Sequence, residues 1–110
     1  MANIEVEKIL PGMISAAKVE FDKKWPLVKD YAEVEMTKLS LTLALIEKLA
    51  LTNKIDEGEA SVMLEMQKNT ARTFMLTMEG MSLILVEAAI NAALKAVTDI
   101  VNNALGFVLL

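Results

Sequence analysis

Apolar and polar residues alternate in steps of three and four along most of the chain, the spacing that sorts side chains onto opposite faces of a helix. The longest such stretch runs from Asp56 to Leu110, lacks proline, and carries glycine only at Gly58, Gly80 and Gly106. Ala, Leu, Met and Glu dominate it, and these lose little side-chain freedom in a helix. Polar positions form a narrow stripe: Glu65, Lys68, Asn69, Arg72, Glu79, Glu87, Asn91, Lys95, Thr98, Asp99 and Asn102. The stripe keeps its phase across Gly80, with Arg72, Glu79 and Glu87 in line. Asn69, Gly80, Asn91 and Asn102 recur every eleven residues, as do Met63, Phe74, Leu85 and Ala96. Such a period is three turns at about 3.67 residues each and favours a slight right-handed supercoil. Ser82 has Leu85 rather than Glu three residues on, so it makes no capping box. The pattern therefore favours one long helix over about 56–108, bent at Gly80; a clean break there is the alternative, since glycine costs a helix interior about 1 kcal/mol.

Some 50 helical residues would span roughly 75 Å, whereas a compact chain of this length has a radius of gyration of about 13 Å. A continuous helix thus implies an elongated molecule whose apolar surface is covered by other subunits.

Upstream, Asn3 suits an N-cap, with Glu5 and Glu7 near the positive end of the first helix. Val6, Leu10, Met13, Ala17, Phe21 and Trp25 keep helical spacing through Pro11-Gly12, which predicts helix on both sides of a kink or short break. Pro26 marks the next boundary, since the residue before proline is driven from the helical region. A second helix follows over about 26–52. Its wet side reads Lys29, Asp30, Glu33, Thr37, Ser40 and Glu47, and its buried side Tyr31, Ala32, Met36, Leu39, Leu43, Ile46 and Ala50. Val34, Leu41 and Leu45 make a further apolar face, which implies burial on two sides.

The connection is the most specific local signal. Asn53 suits the left-handed residue that ends a helix. Asp56 and Glu59 form a capping box, with Ile55 and Ala60 at the positions of a hydrophobic staple. A link this short makes antiparallel neighbours, so residues 26–52 and 56–82 should form a helical hairpin.

The second half of the long helix outruns this hairpin. Its small residues (Ala88, Ala89, Ala92, Ala93 and Ala96) admit close approach by another helix. The expected fold is all-α, a single domain with a Pro-kinked N-terminal helix before the hairpin, assembling into an oligomeric bundle. The expected oligomer interface comprises Phe74, Met78, Met81, Leu85, Ala89, Ala92, Ala96, Ile100 and Phe107.

Composition removes most chemistries. The chain of 110 residues is 55% hydrophobic, with mean hydropathy +0.43 and eight Met, and it has neither Cys nor His. Thiol nucleophiles, thiolate metal sites and the commonest general base are therefore absent. Net charge is −4. Residues 1–55 carry eight acidic and eight basic side chains, and residues 56–110 seven and three, with no basic face for nucleic acid. The first residues are acidic where a secretion signal is basic, so a cytoplasmic protein is expected.

The window Thr73 to Leu94 is long enough to cross a membrane. Its Phe, Leu, Ile and Val residues contribute roughly −4 kcal/mol, however, against about +6 for Glu79 and Glu87. Spanning is disfavoured, and a membrane-associated or pore-forming role is the runner-up. Glu79 and Glu87 lie in apolar surroundings that could raise a carboxylate pKa, but alignment with Arg72 and Lys95 favours a solvated stripe. Glu47, Glu65, Glu79 and Glu87 lack the His of a di-iron bundle and resemble no calcium loop. No Ser has a recognisable base partner, and the glycines form no phosphate cradle. Asn91, Asn102 and Asn103 read as surface positions, the commoner case, with buried asparagines that fix helix register in an assembly as the alternative. Met63, Met66, Met75, Met78 and Met81 read as core, or as an adaptable groove for a helix or apolar ligand. The expectation is a non-enzymatic structural or protein–protein interaction protein, self-associating, with no cofactor, metal or evident small-molecule substrate; an apolar-ligand-binding bundle is a third reading.

Overall fold

The computed structural model describes residues 4–110, all of it helix, turn or irregular chain, so the Asn3 cap lies outside the described residues. The described residues form five α-helices: α1 (Val6–Phe21), α2 (Trp25–Leu51), α3 (Glu57–Leu76), α4 (Leu83–Ala96) and α5 (Thr98–Leu105). A 3₁₀ turn, Asp22–Lys24, joins α1 to α2. The first four helices form an up-and-down bundle in which α1 packs on α2, α2 on α3, α3 on α4, and α4 back on α1. The α1–α4 packing is the most extensive, and α5 lies against α2.

The single long helix expected over 56–108 does not form. α3 stops at Leu76, Gly80 takes a left-handed φ of +81°, and Ser82 starts α4. The Ser82 hydroxyl accepts the Leu85 amide at 3.1 Å, so the cap dismissed for want of a glutamate works without one. The capping box reinforces an N-cap and is not required for it. Folding back takes α4 off a solvent-exposed rod and buries Val86, Ala89, Ile90, Ala93 and Leu94. The radius of gyration is 13.7 Å, close to the value for a compact chain.

The aligned polar stripe also has another cause. Arg72 and Glu87 do not follow one another along a helix; they face each other across the α3–α4 turn and form an ion pair. Val97, at φ −118° and ψ 9°, separates α4 from α5, and Gly106, again left-handed, ends α5. The eleven-residue recurrence therefore crosses two interruptions and describes no supercoil.

The local signals of the hairpin appear in full. Asn53 has φ +58°, the Lys54 amide donates to Leu49 O and the Asn53 amide to Ala50 O, the paired bonds of a Schellman ending. Asp56 Oδ1 accepts the Glu59 amide at 2.7 Å, and Glu59 Oε1 accepts the Asp56 amide at 3.1 Å.

α1 continues as helix through Pro11, so of the expected kink or short break with helix on both sides, the break is absent. The break comes instead at Asp22, whose φ is +50°. Trp25 stays helical although a proline follows it. Its ring is buried with its centroid 6.2 Å from that of Phe21, and this packing holds the backbone where the proline disfavours it.

Two side chains anchored to backbone hold the ends of the chain. Glu47, expected on the wet side of α2, is buried, and both its carboxylate oxygens accept the Ile4 amide, at 3.0 and 3.1 Å. Asn102 Oδ1 accepts the amides of Leu109 and Leu110 while its Nδ2 donates to Leu110 O. It is a half-buried clasp and not a surface position. Ser40 is also buried, its hydroxyl donating to Thr37 O within the helix.

Ser82→Ala should cost about 1 kcal/mol of stability in urea denaturation. Gly80→Ala should cost about 1–2 kcal/mol, because an L-residue must adopt the left-handed conformation there. In Asn102→Ala, hydrogen exchange at the Leu109 and Leu110 amides should accelerate by about tenfold, the equivalent of losing about 1.4 kcal/mol of local protection.

Candidate interaction surface

α2 is apolar on more faces than its own chain covers. Ala32, Met36, Leu39, Leu43 and Ile46 are fully buried, as its pattern requires. Tyr31, expected among them, is half exposed. It falls instead on an outer stripe of Leu27, Tyr31, Val34, Lys38, Leu41 and Leu45, spaced four, three, four, three, four. That is the 3.5-residue period by which one helix meets another along a seam. Leu27 is 74% exposed, and the other four apolar members are each about half exposed. The second buried side expected for α2 is thus open to solvent in the single chain.

α3 extends this face. Phe74 lies against Tyr31, ring centroids 5.8 Å apart, and Val62 and Met66 are exposed further along. A chain of shallow depressions follows the α2–α3 seam. One is lined by Leu27, Val28, Tyr31, Met78, Glu79 and Gly80, and another by Thr42, Leu45, Met63, Met66, Gln67 and Thr70.

The polar groups here are unusual. Glu35 is 1% exposed; its Oε2 accepts Lys38 Nζ at 3.3 Å, but its Oε1 is buried with no hydrogen-bond partner among the described residues. It sits one heptad after Val28 and one before Thr42, both of which line the α2–α3 depressions, so it shares their side of α2. Gln67 Nε2, on the α3 side of the same seam, is the other buried polar atom without a partner among the described residues. Each such atom forfeits about 1–3 kcal/mol relative to a satisfied one.

The nine interface positions expected from sequence scatter. Phe74 lies on the α2–α3 face. Ala89 is fully buried against the chain's own core and offers nothing to a partner, because the fold-back turns that side of α4 inward. Met78, Met81, Leu85 and Phe107 are half-buried and packed against the core, and Ala92 is half-buried on α4. Ala96 and Ile100 are exposed near the α4–α5 junction. Leu27, Lys38 and the exposed side of Tyr31 were missed, although the alternating four-three spacing through Lys38 was present in the sequence.

Other candidate groups resolve into structural roles. Glu79 is exposed, Glu87 pairs with Arg72, Glu65 with Lys68 at 3.3 Å, and Glu47 holds Ile4. No group of three or more potential metal ligands occurs among the described residues. Lys8 is exposed and its Nζ donates to Glu5 Oε2 at 3.0 Å; that hydrogen bond, with the Glu5 charge, raises the Lys8 pKa above its ordinary value. Ser82 is a helix cap, Ser40 is bonded to its own helix, and Ser15 and Ser61 are exposed. Of the five clustered methionines, Met75 is core, Met63, Met78 and Met81 are half-buried, and Met66 is exposed. The window Thr73 to Leu94 is divided between two helices, and among the described residues no helix is long and apolar enough to cross a membrane. No family model, curated protein or solved structure matches the chain.

Proposed function

We propose that the protein is a non-catalytic protein–protein interaction module that self-associates through the outer face of α2 and α3. The observation that carries this reading is the coiled-coil-like stripe on α2, exposed along nearly the whole helix and widened by Val62, Met66 and Phe74. Isolated exposed apolar residues are ordinary on protein surfaces, but a contiguous strip of them marks a docking surface. These side chains expose on the order of 800 Å² per chain, comparable to the ~800 Å² that each partner contributes to a standard specific interface. The non-catalytic reading is supported by a composition with neither His nor Cys and by the structural roles of several acidic groups: Asp56 and Glu59 cap α3, Glu47 holds the Ile4 amide and Glu65 pairs with Lys68.

A second reading, association with a lipid surface, is supported by a patch that shares only Leu27 with that stripe. Val19, Leu27, Leu83 and Ile84 are all exposed at the end where α1 and α3 finish and α2 and α4 begin, with Ile84 at 83%. Such a tip would enter the interfacial layer without spanning it.

Sedimentation equilibrium of the purified chain should return a dimeric or higher mass at micromolar concentration. Leu41→Lys places a charge in the middle of the stripe, at a half-exposed site where the single chain tolerates it. It should weaken association by more than about tenfold, the cost of losing a central apolar anchor, with helical circular dichroism unchanged. A chain that stays monomeric and floats with liposomes, losing flotation in Ile84→Asp, favours the second reading instead.

A further inference from the structure

The chain has no cysteine, so the sulfur it offers an oxidant is thioether and never thiol. Among the described residues Met66 is the only exposed methionine, at 64%. Met13, Met36 and Met75 are fully buried, and Met63, Met78 and Met81 are half-buried. Met66 stands on the outer side of α3, one turn after the exposed Val62, and with Leu45 and Met63 it lines a depression along the α2–α3 seam. The most reachable sulfur therefore lies within the face assigned above to self-association. Resting on that reading, we propose that Met66 is an oxidation site through which a peroxide weakens the association of the chains.

The chemistry needs only hydrogen peroxide. The Met66 sulfur attacks one peroxide oxygen, the S–O bond forms as the O–O bond breaks, and a proton passes to the departing oxygen, which leaves as water. Sulfur gives up two electrons and the peroxide takes them. A flexible apolar side chain thereby becomes a polar sulfoxide, a change that disrupts apolar interfaces and that methionine sulfoxide reductases reverse. On the free chain, water solvates the new oxygen. Covered by the apolar stripe of a second copy, the oxygen loses that water and gains no donor in return. Oxidation thus favours the free chain over the associated one. Met66 takes no part in the buried core, so the bundle itself is unaffected. Association in turn covers the sulfur and slows its reaction.

Sedimentation equilibrium before and after mild peroxide treatment, with peptide mass spectrometry to locate the added oxygen, tests the site. Met66 should oxidise ahead of the other described methionines. The product should associate about tenfold more weakly, equivalent to about 1.4 kcal/mol, with helical circular dichroism unchanged. Oxidation of Met66 should also slow as protein concentration rises through the range in which the mass increases. Met66→Leu keeps an apolar side chain of similar volume, so it should associate like the parent and hold that association through the same treatment. Unchanged affinity after complete oxidation of Met66, or an equal loss of association in treated Met66→Leu, would overturn the site and leave self-association standing. A monomeric mass at every concentration before treatment would overturn both.

Discussion

The architecture depends on burying the apolar side of α4 against α1. Without that contact the last third of the chain would be a greasy rod with little of its own protein to shield it. A left-handed glycine at Gly80 and the hydroxyl of Ser82 make the reversal feasible, and the Arg72–Glu87 pair closes across it. None of these local devices contributes more than a few kcal/mol. The return comes from the core they allow, with Val86, Ala89, Ile90 and Ala93 fully buried.

Most helices and the α2–α3 hairpin were legible in the sequence, and the reasons are local. Asn53, Asp56 and Glu59 specify backbone geometry through their own hydrogen bonds, and nothing distant has to cooperate. The fold-back was not legible in the same way. A single glycine costs a helix only about 1 kcal/mol, less than the burial that tertiary packing supplies on either side, so propensity alone could not decide between continuation and reversal. The same limit applies at Trp25, where packing on Phe21 outweighs the following proline.

The polar residues were misread for a related reason. Glu47, Ser40 and Asn102 follow the helical pattern of solvent-facing positions, yet each meets backbone groups inside the molecule. For Glu47 the backbone group belongs to a segment 43 residues away, which no local pattern reveals, whereas Ser40 bonds within its own helix and Asn102 bonds to the chain that turns back after α5. The candidate surface was half visible: Val34, Leu41 and Leu45 form a distinct apolar face in the pattern itself. What the pattern could not show is that α1, α3 and α5 leave that face uncovered, or that the reversal at Gly80 buries Ala89 within its own chain.

Closing the bundle between its first and fourth helices has a consequence for biosynthesis. The buried side of α1 has to wait for α4, whose last residue is made roughly 75 residues after α1 ends. At ribosomal speeds of about 5–20 residues per second, that leaves the nascent first helix incompletely sheltered for roughly 4–15 s. During that interval the side chains that α1 finally buries, among them Ile9, Met13 and Ala17, lack part of their cover.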